Sequence, residues 1–388
     1  MVSYAFIVTS ILHILSSALA FSTCSSHLLV VCMYYSTILN TYIHPGSDSS
    51  VENDKVVTVM YMAVLPSPLD IWDMFTQSMA ANNHSAVVEF ILQGFSENPR
   101  LQVVLFALFL FLYLTALAGN SLILMAICLN PTLHTPMYFF LTNLAIIDIG
   151  CTSSVIPKLL EILLLNSSTI SYGGCLTQLF FMTWFLGAEL LLLVVMSYDR
   201  YVAICQPLHY HTLMSRPLCA LMACTMWFLS GVNTSVHTGL MAQITFCGPN
   251  RIHHFLCEIP TLLMLACSPT NMNNLMSITA DVFLGVVNFS LTMLSYIFII
   301  ISILRIRSSE GKRRAFSTCS SHLLVVCMYY STVIYTYLLP GSGSSMENGK
   351  AVAIIYMAVS PNLNPLIYTL RNRDVKVALR RVFLTFSK

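Results

Sequence analysis

The feature that most constrains the fold of this chain is a series of seven apolar stretches, each long enough to cross a lipid bilayer. A spanning helix needs about 20 mostly apolar residues. The segments that qualify are residues 103–128, 137–162, 175–203, 217–240, 275–304, 316–338 and 351–370. Only 9% of the 388 residues are charged, against about 25% in a soluble domain. The sequence therefore predicts an all-α membrane protein, a seven-transmembrane helix bundle.

The distribution of charge predicts how this bundle is oriented. Most of the 18 Lys and Arg residues fall on one side, which the positive-inside rule makes cytoplasmic. Asn83-His84-Ser85 is an N-glycosylation sequon and fits an outside N-terminus for the bundle. We therefore expect a multi-pass protein of the cell membrane. The net charge of +2 argues against a nucleic-acid partner.

The C-terminal segment, residues 372–388, is short and basic, with apolar residues interspersed. Its apolar residues are Val375, Val377, Leu379, Val382 and Leu384. This composition is typical of an amphipathic helix that lies on the inner leaflet. Membrane lipid is therefore an expected partner of the tail.

Residues 1–78 contain a partial copy of the chain's own later sequence. Ala20–Thr37 is identical to Ala315–Thr332, and the likeness continues on both sides. A two-helix fragment repeated once is not a solenoid, and no basic residue precedes its apolar start, as a signal peptide would require. We expect the prefix to be inert or a gene-model artefact, with the working domain at 79–388. An extra anchor helix near residues 3–43 is the alternative.

Four polar residues fall at a similar depth in four of the predicted helices, at a rise of about 1.5 Å per residue. This polar layer consists of Asn120, Asp148, Glu189 and Asn364. Its two carboxylates would repel each other if both were ionised, so they share a proton or hold a small cation such as Na⁺. The alternative is a hydrogen-bonded layer that only fixes packing. Pro365 should kink the last helix beside the layer, as a hinge or a fixed bend.

An adjacent acid and arginine, Asp199 and Arg200, stand where the third apolar stretch leaves the membrane. Arginine keeps its charge and offers five donors in a rigid fork, which suits a latch to a neighbouring helix. The alternative is a simple charge pair that marks the membrane interface.

Cysteines on the outer side predict disulfides, because that compartment is oxidising. They are Cys175, Cys247, Cys257 and Cys267, and their spacing leaves the pairing open. His253 and His254 lie near Cys257, but a pair of histidines in an exposed loop is more often without a metal, and we predict none.

Taken in order along the chain, these motifs resemble those of a rhodopsin-type G-protein-coupled receptor, and within that class an olfactory (odorant) receptor. The matching segments are Gly119-Asn120, Pro131–Tyr138, Met196–Cys205, Ser295-Tyr296, Ala315–Leu323 and Asn364–Tyr368. The resemblance covers about residues 79–388. Two departures are Ser197, where the family usually has alanine, and the lack of a tail cysteine for palmitoylation.

The resemblance implies a set of roles for individual residues. It pairs Cys175 with Cys257 and Cys247 with Cys267. It implies an activation switch in which Arg200 is released while helix six swings outward and opens a cytoplasmic cleft for a stimulatory G protein. The residues of this switch are Asp199, Arg200, Tyr201, His322, Asn364, Pro365 and Tyr368.

The resemblance also implies an odorant pocket in the outer third of the bundle. By position its lining is mostly apolar with a few hydroxyls, which suits a small hydrophobic volatile molecule. The expected residues are Met182, Thr183, Leu186, Gly187, Tyr330, Val333, Ile334, Tyr337 and Met357. Apart from the sodium ion considered above, no cofactor is expected.

Two other functions compete with an odorant receptor. A non-signalling product of a fused gene or pseudogene is suggested by the prefix. A transporter or channel is disfavoured, because 79–388 shows no inverted repeat and its intramembrane charges form one layer rather than a path. The sequence shows no nucleophile–base set and no metal-ligand spacing, so we do not expect an enzyme.

Overall fold

The computed structural model describes residues 88–95, 98–165, 168–247, 250–338, 349–350, 353–371 and 375–380. The repeat in residues 1–78 and the sequon at Asn83 lie outside the described residues. Beyond Tyr330 the rest of the sixth helix is described by its backbone alone, so the side chains of Val333, Ile334 and Tyr337 are also outside.

Seven long helical segments form a bundle in the described part of the chain. They are α1 (Pro99–Leu129), α2 (Pro136–Leu165), α3 (Tyr172–Cys205), α4 (Arg216–Ala242), α5 (Asn271–Arg305), α6 (Ser309–Leu338) and α7, which runs as Ile355–Val359 and then Ser360–Arg371. The predicted seven-transmembrane helix bundle is therefore confirmed. Shorter helices follow α1 at Pro131–Leu133, follow α3 at Pro207–His209 and Tyr210–Leu213, and lie in the second outer loop at Ile259–Leu263.

Local capping chemistry sets where the helices begin. Helix α1 starts at Pro99, and the side chain of Asn98 accepts a hydrogen bond from the backbone N–H of Arg100 at 3.0 Å. Helix α3 starts after Ser171, whose hydroxyl accepts from Gly174 N–H at 3.1 Å. Asparagine and serine satisfy helix N-terminal donors, and proline is tolerated in the first turn. The helices therefore extend a few residues beyond the apolar runs that predicted them.

Helices α1 to α5 are each long and apolar enough to cross a membrane, and α6 carries a shorter apolar stretch, Cys319–Tyr330. Helix α5 includes a π-helical stretch at Asp281–Val287, and α7 begins with another at Ile355–Val359. Such bulges shift the register of the side chains that follow. Both occur in helices that border the expected odorant pocket.

A small three-stranded sheet covers part of the outer end of the bundle. Its strands are β1 (Glu89–Leu92), β2 (Thr169–Ser171) and β3 (Arg251–Ile252), in the order β2-β1-β3. Strand β1 pairs antiparallel with β2 and parallel with β3. Phe90 and Leu92 are each 1% exposed, so the segment before α1 is packed into the outer core rather than trailing in solvent.

The buried apolar side chains form two clusters. The outer cluster lies under the sheet and the second outer loop and includes Phe90, Val155 and Met357. The inner cluster lies toward the cytoplasmic end and includes Leu192 and Tyr368. A short helix at residues 375–380 packs Val375 and Ala378 against the inner cluster and leaves Lys376, Val377 and Arg380 exposed. Residues 381–388 of the expected amphipathic segment lie outside the described residues, and its contact with the inner leaflet stays a prediction.

Candidate functional site

Asp199 and Arg200 form a buried ion pair at the cytoplasmic end of α3. Arg200 Nε donates to Asp199 Oδ2 at 2.9 Å, and the Nη2 of the same guanidinium bonds to that oxygen as well. The other carboxylate oxygen, Oδ1, accepts a hydrogen bond from the hydroxyl of Tyr210 at 2.7 Å. Asp199 is 1% exposed and Arg200 is 5% exposed. Both oxygens of the carboxylate are therefore occupied in this conformation.

Tyr210 belongs to the one-turn helix Tyr210–Leu213 in the second cytoplasmic loop. Burial, followed by the neighbouring Asp199 carboxylate, raises the pKa of the Tyr210 phenol above its usual range. The hydroxyl therefore stays protonated and remains a donor at physiological pH. The sequence analysis did not identify Tyr210, although it lies eleven residues after Asp199 in a loop that the resemblance places beside the G protein.

Residues from α5, α6 and α7 complete the surroundings of Arg200. The hydroxyl of Tyr296 and Nδ1 of His322 share a hydrogen bond of 2.7 Å that joins α5 to α6. His322 and Tyr368 both lie within electrostatic range of the Arg200 guanidinium. Among the residues that the structure describes, the Tyr368 hydroxyl and Nε2 of His322 have no hydrogen-bond partner although both are buried. The structure thus places three of the predicted switch residues, Arg200, His322 and Tyr368, near one another.

Tyr201, also predicted to belong to the switch, has different neighbours. Its ring lies edge-on to Phe298 of α5, with 6.0 Å between ring centroids. Its hydroxyl accepts a hydrogen bond from Gln206 at 3.4 Å. Tyr201 therefore contacts α5 rather than His322 or Tyr368.

The polar layer is joined through α7. Asn364 Nδ2 lies 3.1 Å from each of the two carboxylate oxygens of Asp148 and links α7 to α2. Asn120 Nδ2 donates instead to the carbonyl of Pro361 at 2.9 Å and to Ala116 at 3.0 Å. The layer therefore has two separate connections to α7, one from α1 and one from α2.

Glu189 of α3 is the fourth member of the polar layer. It is 3% exposed, and its Oε1 has no partner within the described ranges. Glu189 lies within electrostatic range of Asp148, and Oδ1 of Asn364 is likewise buried without a described partner. Two carboxylates and an amide oxygen are the donors that a small hard cation prefers. The residues present fit a sodium ion, which stays a prediction.

Helices α1 and α7 approach each other closely beside the polar layer. A Cβ placed on Gly119 would lie 3.2 Å from Cβ of Pro365. The glycine before Asn120 therefore permits the contact that brings the Asn120 amide to the α7 backbone. Pro365 lies within the continuous helix Ser360–Arg371.

Two disulfides tie the outer end of the bundle together, in the pairing that the resemblance implied. Cys175 is joined to Cys257 and Cys247 to Cys267, with Cα separations of 5.5 and 5.9 Å. The first disulfide holds the second outer loop, residues 243–270, against the start of α3. Phe255, Leu256 and Cys257 of this loop are at most 1% exposed. The loop therefore forms part of the outer core.

Histidine, glutamate and lysine side chains meet at the outer mouth. His254 is 2% exposed, and its Nε2 lies 3.9 Å from Oε1 of Glu258. Burial and the charge of Lys350 lower the pKa of His254 to about 4, and burial raises the pKa of Glu258 to about 7. Lys350 Nζ donates to Gly94 O at 3.2 Å. In the described ranges no three His, Cys, Asp or Glu side chains are grouped closely enough to hold a metal ion.

The expected pocket residues fall into two groups. Met182 and Met357 are buried in the outer cluster, where Sγ of Cys151 contacts Sδ of Met357 at 3.3 Å, and Thr183 and Leu186 are half-buried. Tyr330 belongs to the inner cluster, where its ring lies edge-on to Phe289 at 4.9 Å. These five positions therefore span the outer half of the bundle and the boundary between the two clusters.

Gly187, also expected in the pocket, lies at a close contact between α3 and α4. A Cβ at this position would lie 2.6 Å from Oγ of Ser230 on α4. That serine in turn donates to the carbonyl of Trp184 at 2.6 Å. The absence of a side chain at Gly187 therefore allows α3 and α4 to pack closely, and its place in the odorant pocket stays a prediction.

Comparison with known proteins agrees with this architecture. A family model described as "Olfactory receptor" matches residues 109–386. The chain is 57% identical over 305 residues to human olfactory receptor 13A1, in an alignment that covers 79% of the chain and 93% of that protein. It is 53% identical over 301 residues to human olfactory receptor 13G1, covering 78% and 98%. It is also 47% identical over 304 residues to rat olfactory receptor 1f45, covering 78% and 97%.

Proposed function

The chain belongs to the olfactory receptor family, and from this premise we propose that the buried contact among Asp199, Arg200 and Tyr210 holds the receptor in its resting state. As an odorant receptor it is a multi-pass protein of the plasma membrane, binds small odorants and activates a heterotrimeric G protein. It is a signalling receptor and not an enzyme.

The observation that supports this proposal is the full occupancy of the Asp199 carboxylate. One of its oxygens is bonded to Arg200 and the other to Tyr210. A buried guanidinium that loses its partner must find another or return to water, because an unpaired buried charge is costly. Outward movement of α6 would open a route for Arg200 toward the cytoplasm and toward a stimulatory G protein. Tyr201, His322, Asn364, Pro365 and Tyr368 are the remaining residues of the proposed switch.

Replacement of Arg200 tests the switch directly. We expect Arg200→Ala to abolish odorant-evoked cyclic AMP while delivery to the cell surface, measured with an N-terminal epitope, is retained. Arg216→Ala is the matched control, because it removes an arginine that is not part of this contact. A full agonist response in Arg200→Ala at normal surface density would refute the proposal.

For the odorant site we propose the outer part of the bundle below the second outer loop. The support is the outer cluster, which places Met182 and Met357 together with half-buried Thr183 and Leu186 beside it. Tyr330, Val333, Ile334 and Tyr337 of α6 complete the proposed lining. Thr183→Val keeps the side-chain shape but removes the hydroxyl, so potency should fall by about tenfold for odorants that carry a hydrogen-bonding group. Thr183→Ser should preserve it, and equal potency in both variants would contradict the assignment.

The working receptor in this proposal is the segment 79–388. The alignments of 301 to 305 residues are close to the length of that segment, and the family match begins at residue 109. The second candidate, a non-signalling fused product, is favoured by the repeat in residues 1–78. Expression of 1–388 and of 79–388 with a cyclic-AMP reporter separates the two. A responsive short form beside a silent long form would favour the second candidate for the full chain.

A further inference from the structure

Gln178 of α3 holds two other parts of the receptor through the two ends of one amide group. Its Oε1 accepts a hydrogen bond from the backbone N–H of Cys257 at 2.9 Å, and its Nε2 donates to the carbonyl of Ser154 on α2 at 3.2 Å. The residue is 6% exposed. No feature of the sequence identified it, because a single glutamine in an apolar helix has no distinguishing pattern.

The second outer loop is therefore held at Cys257 by two bonds of different kinds, a hydrogen bond and a disulfide. Cys175, three residues before Gln178, carries the disulfide to Cys257. Positions three apart lie on the same face of a helix. The disulfide fixes the distance between α3 and the loop, whereas the hydrogen bond fixes the direction of the Cys257 peptide. Phe255 and Leu256, just before that peptide, are each 1% exposed.

We propose that Gln178 is a positioning residue that sets the height and register of loop residues 255–257 over the odorant pocket. This inference rests on the proposed location of that pocket. Met182 lies four residues after Gln178, so it occupies the same helix face one turn deeper. A shift of the Cys257 peptide would move Phe255 and Leu256 relative to Met182. The position of Gln178 thereby limits the size of odorant that fits beneath the loop.

Substitutions at Gln178 distinguish a specific role in holding the outer loop from a general contribution to the stability of the bundle. Gln178→Leu has a similar volume but leaves the Cys257 N–H without this partner and removes the bond to the Ser154 carbonyl, which keeps its place in the α2 helix. Loss of such partners favours local opening of the segment that carries them. Gln178→Glu, in its neutral form, keeps both an acceptor and a donor and serves as the conservative rescue.

Amide hydrogen exchange of the full chain in lipid nanodiscs tests the proposal without any odorant. We expect the amides of residues 255–257 to exchange about tenfold faster in Gln178→Leu than in the wild type, and at the wild-type rate in Gln178→Glu. Exchange in the middle of α3 and α4 should not change. Ser154→Ala is the control, because Gln178 bonds the backbone of Ser154 and not its hydroxyl.

Three results would overturn the proposal. They are unchanged loop exchange in Gln178→Leu, equal acceleration in all helices, and acceleration in Gln178→Glu that matches the leucine variant. A second measurement compares cyclic-AMP potency across straight-chain aliphatic alcohols and aldehydes of increasing length. A positioning role predicts that Gln178→Leu changes the rank order of odorant potency along the series. A uniform shift in the potency of all these odorants would contradict it. If amide exchange in the loop accelerates as expected but the potency of every odorant is unchanged, the proposed location of the pocket is wrong. The role of Gln178 in holding the loop would then still be supported.

Discussion

The hydroxyl of Tyr210 donates a hydrogen bond of 2.7 Å to the Asp199 carboxylate, eleven residues earlier in the chain. This contact ties the second cytoplasmic loop to the same acid that holds Arg200. A hydrogen bond to a charged group contributes about 1.5–3 kcal/mol. Its removal should therefore weaken the resting state by an amount that a signalling assay can detect.

We predict that Tyr210→Phe raises basal cyclic-AMP production by about tenfold per 1.4 kcal/mol of lost stabilisation. The substitution keeps the ring and removes only the donor, so the loop should stay folded. Thr212→Ala is the control, because it deletes a hydroxyl from an exposed residue two positions away. Basal signalling that stays at the wild-type level in Tyr210→Phe, at equal surface density, would show that this bond does not restrain the receptor.

A second prediction concerns sodium in the polar layer. Asp148, Glu189 and Oδ1 of Asn364 provide buried oxygens that suit a cation. We expect the melting temperature of the purified receptor to rise when sodium chloride replaces N-methyl-D-glucamine chloride at equal ionic strength. Glu189→Gln keeps the shape and removes a charge, so it should abolish most of this rise. An identical rise in Glu189→Gln would show that sodium acts at a site other than the polar layer.

A third prediction contrasts two helical glycines. Gly119 lies against Pro365, and a Cβ there would be 3.2 Å from the ring, whereas nothing lies within 4 Å of a Cβ at Gly239. Gly119→Val should separate α1 from α7, weaken the Asn120–Pro361 bond and reduce surface delivery. Gly239→Ala should be neutral or stabilising by about 0.5–1 kcal/mol, because alanine favours helix more than glycine does. Equal thermal stability of the two variants would mean that the α1–α7 contact is not tight.

The helices could be predicted from the sequence because the length and limits of each apolar run indicate where a helix enters and leaves the membrane. The polar layer was found in the same way, since Asn120, Asp148, Glu189 and Asn364 lie at similar distances from their helix ends. Rotation and tilt of the helices are not encoded in such counts. For that reason the sequence did not show that Asn120 bonds the carbonyl of Pro361 while Asn364 bonds Asp148.

Contacts between distant short segments could not be predicted. Strand β1 has four residues and β3 has two. Ile91 of β1 pairs with Arg251 of β3, although helices α1 to α4 lie between them in the sequence. No periodic pattern develops over so few residues. Tyr210 and Gln178 were missed for a related reason, because Tyr210 acts through one hydrogen bond and Gln178 through two, and tertiary packing sets the partners.

The last prediction uses two titrating residues of the outer loop with opposite effects on stability. The pKa of His254 falls from its ordinary 6.5 to about 4 in the folded receptor, through burial and then the charge of Lys350. Between these values the unfolded chain binds more protons, so this residue makes the receptor more stable as pH rises. The pKa of Glu258 rises from 4.5 to about 7 through burial, so here the folded state binds more protons and stability falls as pH rises.

In the wild type the two effects oppose each other between pH 4.5 and 6.5, the interval that both titrations share. His254→Gln leaves the glutamate alone, so its melting temperature should fall relative to the wild type as pH rises through that interval. Glu258→Gln leaves only the histidine to titrate, so its melting temperature should rise relative to the wild type as pH rises through the same interval. Thermal melts of both variants across the interval measure the two slopes. Slopes of the same sign in the two variants would show that at least one of these groups does not titrate as its surroundings in the folded receptor require.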